Sequence, residues 1–373
     1  MINKYYPPHL GGIEHHMHDL ALGLTAAGVD VRALVANEGR ELVDGEYDGV
    51  PVTRLPRVFA YASTPVAVAM RANIRAQAAS ETPPDVLHLH APYPWGEISW
   101  LGSGVDLPSV LTYHSDIVRQ RFLGAAYRPW LERTLDRVDL IIAGSPNMVE
   151  HSELLSARAD KCRVVPYGIH TEKFDDTPKT VARAQVLRAF HPRPIILFVG
   201  RLVYYKGADV LLRATEHLDV DIVLMGSGPL EAPLREWVVA HGMADRVTFL
   251  APQPDAELAA WYQAADVFCL PSVARSEAFG LVQIQAHASG TPVVSTDLPT
   301  GVPFANLDGV TGYTVPVGDH EALASALERL VADDELRARL GAQARERART
   351  EFSVSRMAAQ TLDVYQQAAG GIA

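Results

Sequence analysis

Two doubly wound α/β domains are what this sequence predicts, and three observations predict them. Short β-branched runs alternate along the whole chain with longer stretches of helical periodicity, the pattern of βαβ units around a parallel sheet. Most runs are continuously apolar rather than alternating, as are strands covered by helices on both faces. The chain has 373 residues, and at roughly 150 residues per domain that length favours two domains.

The runs fall into two sets. In the first half they occupy 29–35, 86–89, 110–113, 140–143 and 163–166; in the second, 195–199, 222–225, 247–250, 267–270, 293–295 and 313–315. Helices fill the gaps: Ile13, Met17, Leu20 and Leu24 recur at helical spacing, and Gly28 follows as a stop. From Tyr167 to Pro178 polar and turn residues replace the periodic pattern, which places the boundary there. The expected domains are 1–175 and 176–350, with 351–373 as a C-terminal helix. Only Met1 to Lys4 precede the loop from Pro7 to Gly12, so the first strand is very short or begins upstream of this start.

Composition excludes several classes. Apolar residues make up 48% and charged residues 21%, which rules out a disordered chain, a collagen and a charge-rich coiled coil. Lys plus Arg is 33 against 44 Asp plus Glu, a net charge of −11, so the basic footprint of a general nucleic-acid binder is missing. Two cysteines, Cys162 and Cys269, cannot frame a disulfide scaffold and fit a reducing compartment. No stretch approaches 18 unbroken apolar residues, the length of a spanning helix. Met1 to Pro8 lacks the apolar core of a signal peptide. A cytoplasmic protein is expected.

In open α/β sheets ligands bind beyond the carboxyl ends of the strands, and four such positions carry unusual residues. Arg201 and Lys206 follow the run ending in Val199-Gly200; a guanidinium fork and an ammonium there could clamp a diphosphate. Gly226 and Gly228 follow the next run and let backbone approach a ligand, although Glu231 at the third glycine position breaks the dinucleotide fingerprint. Glu277 precedes Phe279-Gly280-Leu281-Val282, which opens a helix whose free N–H groups suit phosphate. In the first half, Gly11-Gly12 opens a helix and His114 ends a strand. Each has an ordinary alternative: two surface cations, a plain turn, a capping carboxylate, a structural histidine.

Together these segments resemble the retaining glycosyltransferases of family 4, which have the GT-B fold. The matches run in order along nearly the whole chain: Gly11-Gly12-Ile13-Glu14, His88-Leu89-His90, Thr112-Tyr113-His114-Ser115, Val165-Pro166-Tyr167-Gly168-Ile169, Val199-Gly200-Arg201-Leu202 with Lys206-Gly207, Gly226-Ser227-Gly228-Pro229-Leu230, Glu277-Ala278-Phe279-Gly280-Leu281 and Gly290-Thr291-Pro292-Val293-Val294. The resemblance implies two Rossmann-like domains facing across a cleft, the first binding the acceptor and the second a nucleotide-sugar. It implies that the helix within 352–365 returns to the first domain. The expected activity is a retaining transfer of a hexose from GDP-mannose or a UDP-sugar to a glycan or lipid-linked acceptor in cell-envelope polysaccharide or glycolipid synthesis.

The resemblance also assigns roles. Arg201 and Lys206 would hold the donor diphosphate and stabilise its growing charge. Glu277 would bond donor hydroxyls, and His114 would contact the donor sugar near the reacting centre. Gly11 and Gly12 would let the first domain close on the diphosphate. Gly200, Gly226, Gly228, Phe279, Gly280, Leu281 and Val282 would line the donor site. The leaving phosphate can take the acceptor proton in the family's same-face displacement, so no base is named. One position departs: where the family has a second glutamate, eight residues after the first, this chain has Gln285. An amide keeps an acceptor oxygen for the donor ribose but loses the charge, which implies weaker donor binding or an altered nucleotide preference.

No cofactor and no obligatory metal are expected. Asp219-Val220-Asp221 has the Asp-x-Asp form of metal-dependent transferases but enters a buried strand at its N-terminal end, so it reads as a strand-edge turn. His9, His15, His16 and His18 suggest a metal cluster, yet on a helix His15 and His18 share a face while His16 points elsewhere, which disfavours a zinc site. Two acid-free stretches in the first half carry Arg54, Arg57, Arg71, Arg75, Arg119, Arg121 and Arg128. They make an anionic membrane surface a candidate partner, on the inner face, with a solvated helix face as the alternative. Three other functions compete with this reading. A nucleotide-sugar epimerase shares fold and donor; a periplasmic sugar-binding protein needs a signal sequence; a dinucleotide dehydrogenase needs the full glycine fingerprint.

Overall fold

The computed structural model describes residues 1–9, 11–61, 64–116 and 121–370, without the side chains of Tyr61 and of 121–126. The chain divides into two compact units, Met1–Gly168 together with Val354–Ala373, and Ile169–Ser353. Residues 169–175, placed with the first domain by the sequence, belong to the second unit. There the Thr171–Phe174 turn packs on the Asp255–Ala264 and Leu281–Ala288 helices.

The first unit holds β1 (Ile2–Asn3), β2 (Ala33–Ala36), β3 (Val43–Tyr47), β4 (Val50–Leu55), a small hairpin of β5 (Phe59–Tyr61) and β6 (Thr64–Val66), then β7 (Leu87–Ala91), β8 (Ser109–Tyr113), β9 (Leu140–Ala143) and β10 (Cys162–Val164). Its main sheet has the order β10-β9-β8-β7-β1-β2-β4-β3. All neighbours are parallel except β3 and β4. The two-residue β1 lies at the switch point, pairing with β2 through Ile2↔Leu34 and with β7 through Ile2↔Leu89. Loops after β1 and β7 therefore diverge and leave a crevice at their carboxyl ends.

Met17, Leu20 and Leu24, on one face of the Gly12–Ala26 helix, pack with Val35, Val52, Val110 and Ile142. The Val354–Ala368 helix supplies Met357, Ala358 and Val364 to the same core. It lies so close to the first helix that a Cβ on Gly23 would stand 2.8 Å from the Ala358 Cβ.

The second unit holds β11 (Ile195–Val199), β12 (Asp221–Met225), β13 (Val247–Leu250), β14 (Val267–Leu270), β15 (Val293–Thr296) and β16 (Gly312–Val315). Every pair is parallel, in the order β13-β12-β11-β14-β15-β16. The switch point lies between β11 and β14. Alternate strand residues Ile196, Phe198, Ile222, Leu224, Val267 and Cys269 face Leu211, Leu212, Leu323, Leu327 and Leu330 in one buried cluster. Cys269 is fully buried there, which pushes its thiol pKa up. The helices carry their own start signals: Asp319 caps the His320–Ala332 helix through the Glu321 and Ala322 amides.

Among the described residues no helix is long and apolar enough to cross a membrane.

Candidate active site

Both switch points carry the residues singled out above, and the two are built differently. In the second unit the loops after β11 and β12 interlock through backbone. The Gly200 amide donates to the Met225 carbonyl and the Leu202 amide to that of Ser227, each at 2.9 Å. Gly226 has φ +148°, and a Cβ on it would stand 1.9 Å from the Gly200 oxygen. A Cβ on Gly228 would meet the Leu202 oxygen at 2.3 Å. No side chain fits at either position, so a backbone platform is fixed beyond the strand ends.

Arg201 stands at the edge of this platform. It is exposed, and among the described residues its guanidinium makes no hydrogen bond or ion pair. Lys206 ends the short Tyr204–Lys206 turn, and Gly207 follows at φ +70°, its Cα pressed against the Pro271 carbonyl. The Lys206 Nζ donates to Glu277 Oε2 at 2.6 Å, and Ser272 Oγ donates to the same oxygen at 3.1 Å. Both charged side chains are about nine-tenths buried. The sequence left Glu277 open as a helix cap; the structure shows no side-chain cap on the Leu281–Ala288 helix and gives Glu277 to Lys206 and Ser272 instead.

Gly280 precedes that helix at φ +74°, and Leu281 and Val282 form its half-exposed first turn. Phe279 turns its ring into the core against Phe304 and Phe352, so only its backbone can line a ligand. Gln285 lies on the same helix and accepts a hydrogen bond from the buried Tyr262 hydroxyl at 3.1 Å.

The first unit's crevice is filled with imidazoles. His88 and His90 alternate on β7, so both point to one face of the sheet. His90 Nδ1 lies 3.0 Å from His114 Nε2, and His114 Nδ1 lies 3.1 Å from the Tyr167 hydroxyl. His88 bonds Tyr365 of the C-terminal helix at 2.6 Å and Thr112 at 2.7 Å. The rings stack, His88 on His90 at 4.4 Å and His90 on His114 at 5.3 Å between centroids. His16 closes the group edge-on to His114 and Tyr167.

Burial drives every one of these imidazoles towards the neutral form. His16 is pushed down to about 4, and His88, His90 and His114 fall well below the ordinary value of 6.5. His114 therefore sits here as a neutral ring with both nitrogens engaged. Sequence reasoning did not place His16, His90 and Tyr167 beside His114, or Ser272 beside Glu277. The two-residue spacing of His88 and His90 on a strand was the available signal.

The four early histidines do not form one cluster. His9 pairs with Glu38, His15 with the Gly11 carbonyl, and His18 with Tyr6 and Asp48, leaving His16 to the inner group. Gly11 lies against the buried Glu14 carboxylate, 2.0 Å from where a Cβ would stand, whereas Gly12 has open space. Asp219 and Asp221 hold Arg193 at the N-terminal end of β12, opposite the loops that carry Arg201 and Gly228.

Of the arginines in the acid-free stretches, Arg54 donates to the Pro7 carbonyl, Arg57 to Tyr5 and Glu38, and Arg75 to Ser103. Arg128 is paired with Glu132 and Glu153. Arg71 is exposed. Arg119 and the Arg121 side chain lie outside the described residues.

The chain is similar to known proteins along nearly its whole length. Residues 10–173 match the family Glycosyltransferase Family 4, and residues 182–347 the family Glycosyl transferases group 1. The O-antigen chain mannosyltransferase C of Escherichia coli is 32% identical over 97% of this chain and 95% of its own length. The D-rhamnosyltransferase WbpZ of Pseudomonas aeruginosa is 33% identical over 94% and 90%. Among solved structures, the sucrose-phosphate synthase of Thermosynechococcus elongatus superposes with a TM-score of 0.81 at 24% identity, covering 98% of this chain and 97% of that one. Anabaena HepE in complex with UDP superposes at 0.77 and 20% identity, covering 98% of each chain.

Proposed function

This chain belongs to glycosyltransferase family 4, and from that membership we propose a retaining transfer of mannose from GDP-mannose to a glycan or lipid-linked acceptor. The enzyme is a hexosyltransferase of GT-B fold acting in polysaccharide or glycolipid synthesis. The epimerase alternative finds no support among the relatives. The name of the E. coli relative favours mannose; a UDP-sugar is the second donor to test.

The observation that carries the reading is the unpaired, exposed Arg201 at the switch point of the second sheet, beside the buried Lys206–Glu277 pair. Its guanidinium is free to take two phosphate oxygens in a fork. Lys206 adds positive charge where the leaving diphosphate becomes more negative, and preorganised charge of this kind is usually a large catalytic contribution. Glu277 keeps Lys206 in place and offers carboxylate oxygen to donor hydroxyls. Gly200, Gly226 and Gly228 let backbone approach the nucleotide, and Gly280, Leu281 and Val282 present helix amides. Gln285 faces the ribose, its Oε1 oriented by Tyr262. The leaving phosphate oxygen takes the acceptor proton, and the transfer requires no metal and no cofactor. For His114 to contact the transferred sugar, Tyr167 or His90 has to yield one ring nitrogen.

A peripheral site of action on the inner face of an anionic membrane would join this enzyme to a lipid-linked acceptor. The basic stretches support it through Arg71, since Arg54, Arg57, Arg75 and Arg128 are spent on internal partners. Equal sedimentation with neutral and anionic liposomes would remove it.

A thermal-shift series with GDP, GDP-mannose, UDP and UDP-glucose tests the donor. At 100 times its dissociation constant the true nucleotide stabilises by about 2.7 kcal/mol. The proposal expects GDP and GDP-mannose to shift the transition and NMR of the product to show a retained anomeric configuration. No shift with any of the four, or an inverted product, overturns it.

A further inference from the structure

The stacked imidazoles of the first unit do more than fill a crevice. The ligand atoms of His16, His90 and His114 all lie within 4.8 Å of one another, and all three residues are buried. Both ring nitrogens of His16, and Nε2 of His90, have no hydrogen-bond partner among the described residues. A buried polar atom left without a partner is costly, about 1–3 kcal/mol in general, so three of them on two neighbouring rings are unexplained by packing alone.

We infer that His16, His90 and His114 form a binding site for a borderline divalent transition ion of the Zn2+ class. Tetrahedral zinc with nitrogen bonds of about 2.0–2.1 Å sets its ligand atoms about 3.3 Å apart. His90 Nδ1 and His114 Nε2 are already 3.0 Å apart. His16 has to turn inwards, and it breaks no hydrogen bond in doing so because it makes none.

The protons balance. His114 keeps its Nδ1–H on the Tyr167 hydroxyl and offers the Nε2 lone pair. His90 moves its proton from Nδ1 to Nε2. His16, with no partner at either nitrogen, carries its proton on the nitrogen facing away from the ion. Each ring stays neutral and no proton leaves the site.

The surroundings suit such an ion. Burial keeps the three rings neutral, the form that ligates metals. Tyr167 on His114 acts as the outer partner that fixes tautomer and ring orientation at metal sites. Stacking on His88, itself tied to Tyr365 and Thr112, holds His90. Three nitrogen ligands leave a fourth position for water, as open zinc sites do. The all-nitrogen donor set discriminates against Mg2+ and Ca2+, which require oxygen. Occupancy would take the His114 Nε2 lone pair and so compete with the sugar contact proposed for that ring.

The test uses untagged, EDTA-treated full-length protein. Co2+ is titrated by visible absorption and Zn2+ by competition with a chromophoric chelator, with Mg2+ as the hard-ion control. One equivalent of tetrahedral Co2+, displaced by Zn2+ and not by Mg2+, is the expected result. His16→Ala and His90→Ala should each weaken Zn2+ at least about tenfold, the lower bound for losing even an outer partner. His15→Ala, at an exposed histidine on the same helix, should leave it unchanged. Should the buried variants fail to fold, the wild-type protein decides: X-ray absorption at the zinc edge has to show three imidazole nitrogens at about 2.0–2.1 Å. No stoichiometric uptake, uptake abolished by His15→Ala, or a bound ion without three imidazole ligands would overturn the inference.

Discussion

The two switch points solve one problem in opposite ways. Each lies where the strand order of an open parallel sheet reverses, and each gathers polar side chains at strand ends. The second unit fills its crevice with opposite charges, Lys206 against Glu277, and leaves Arg201 in solvent. The first fills its crevice with neutral aromatic rings whose charge burial has removed. An ion pair needs a partner to survive desolvation; an imidazole can shed its proton instead. The site proposed to meet a diphosphate keeps its charge, whereas the one built from histidines trades charge for lone pairs.

Acidification should separate the two most strongly. Below the ordinary histidine value of 6.5 the unfolded chain takes up protons that His16, with its pKa near 4, and His88, His90 and His114 refuse in the folded state. Stability present above pH 6.5 is therefore lost as the pH falls towards 4, at about 1.4 kcal/mol per pH unit for each fully expressed proton difference. His287 in the second unit, lowered to about 3 by burial, adds with the same sign. Glu97, pushed up to about 7 by burial, opposes it: its contribution is fully present below 4.5 and lost as pH rises through 7. The imidazoles outnumber this carboxyl, so Tm measured by calorimetry should drop between pH 6.5 and 4, and His16→Gln should flatten the drop. A Tm constant across that window would mean that the first crevice is solvated and the contrast is wrong.

Lys206→Ala should come next. It leaves the Glu277 carboxylate buried with only Ser272, and breaking a buried pair by removing one partner costs about 3–5 kcal/mol. Chemical denaturation should show that loss, and Lys206→Ala combined with Glu277→Gln should recover much of it. An unchanged midpoint for the single variant would show the pair to be solvated.

Arg201→Ala sharpens the comparison from the other side. Because the guanidinium is exposed and unpaired, Tm should hold while kcat falls roughly 10- to 150-fold, the equivalent of one charge-assisted contact of about 1.5–3 kcal/mol. Wild-type turnover in this variant would remove Arg201 from the site.

The smallest effect belongs to Gln285→Glu. A carboxylate at the position proposed to face the ribose should lower the donor KM by about fivefold, near 1 kcal/mol. An unchanged or raised KM in steady-state assays would count against its assigned place.

Legibility in the sequence followed burial. The second unit's strands are apolar on both faces, and 195–199, 247–250 and 267–270 coincide with the structure residue for residue. The first unit is harder to read. Val43-Asp44-Gly45-Glu46-Tyr47 is an exposed antiparallel edge strand, so no hydrophobic period marks it, and Ile2–Asn3 is too short to show one. At the site, Arg201, Lys206 and Glu277 stood out because charge beside an apolar run is conspicuous in one dimension. Lys206 and Glu277 are 71 positions apart, and only the β11–β14 pairing brings them together. His16, His90, His114 and Tyr167 come from four separate segments, and no local pattern could announce that they share a wall.

The path of the chain through the first unit bears on how the enzyme is made. The core around Met17, Leu20 and Leu24 is completed by Met357, Ala358 and Val364, which leave the ribosome only after the whole second unit. The second unit is one continuous stretch, Ile169–Ser353, and so has all its residues available earlier. During synthesis the amino-terminal part waits, apolar helix face uncovered, for a segment made some 330 residues later. A protein shortened before Val354 would lose the lid of the unit that was begun first and keep whole the one begun second.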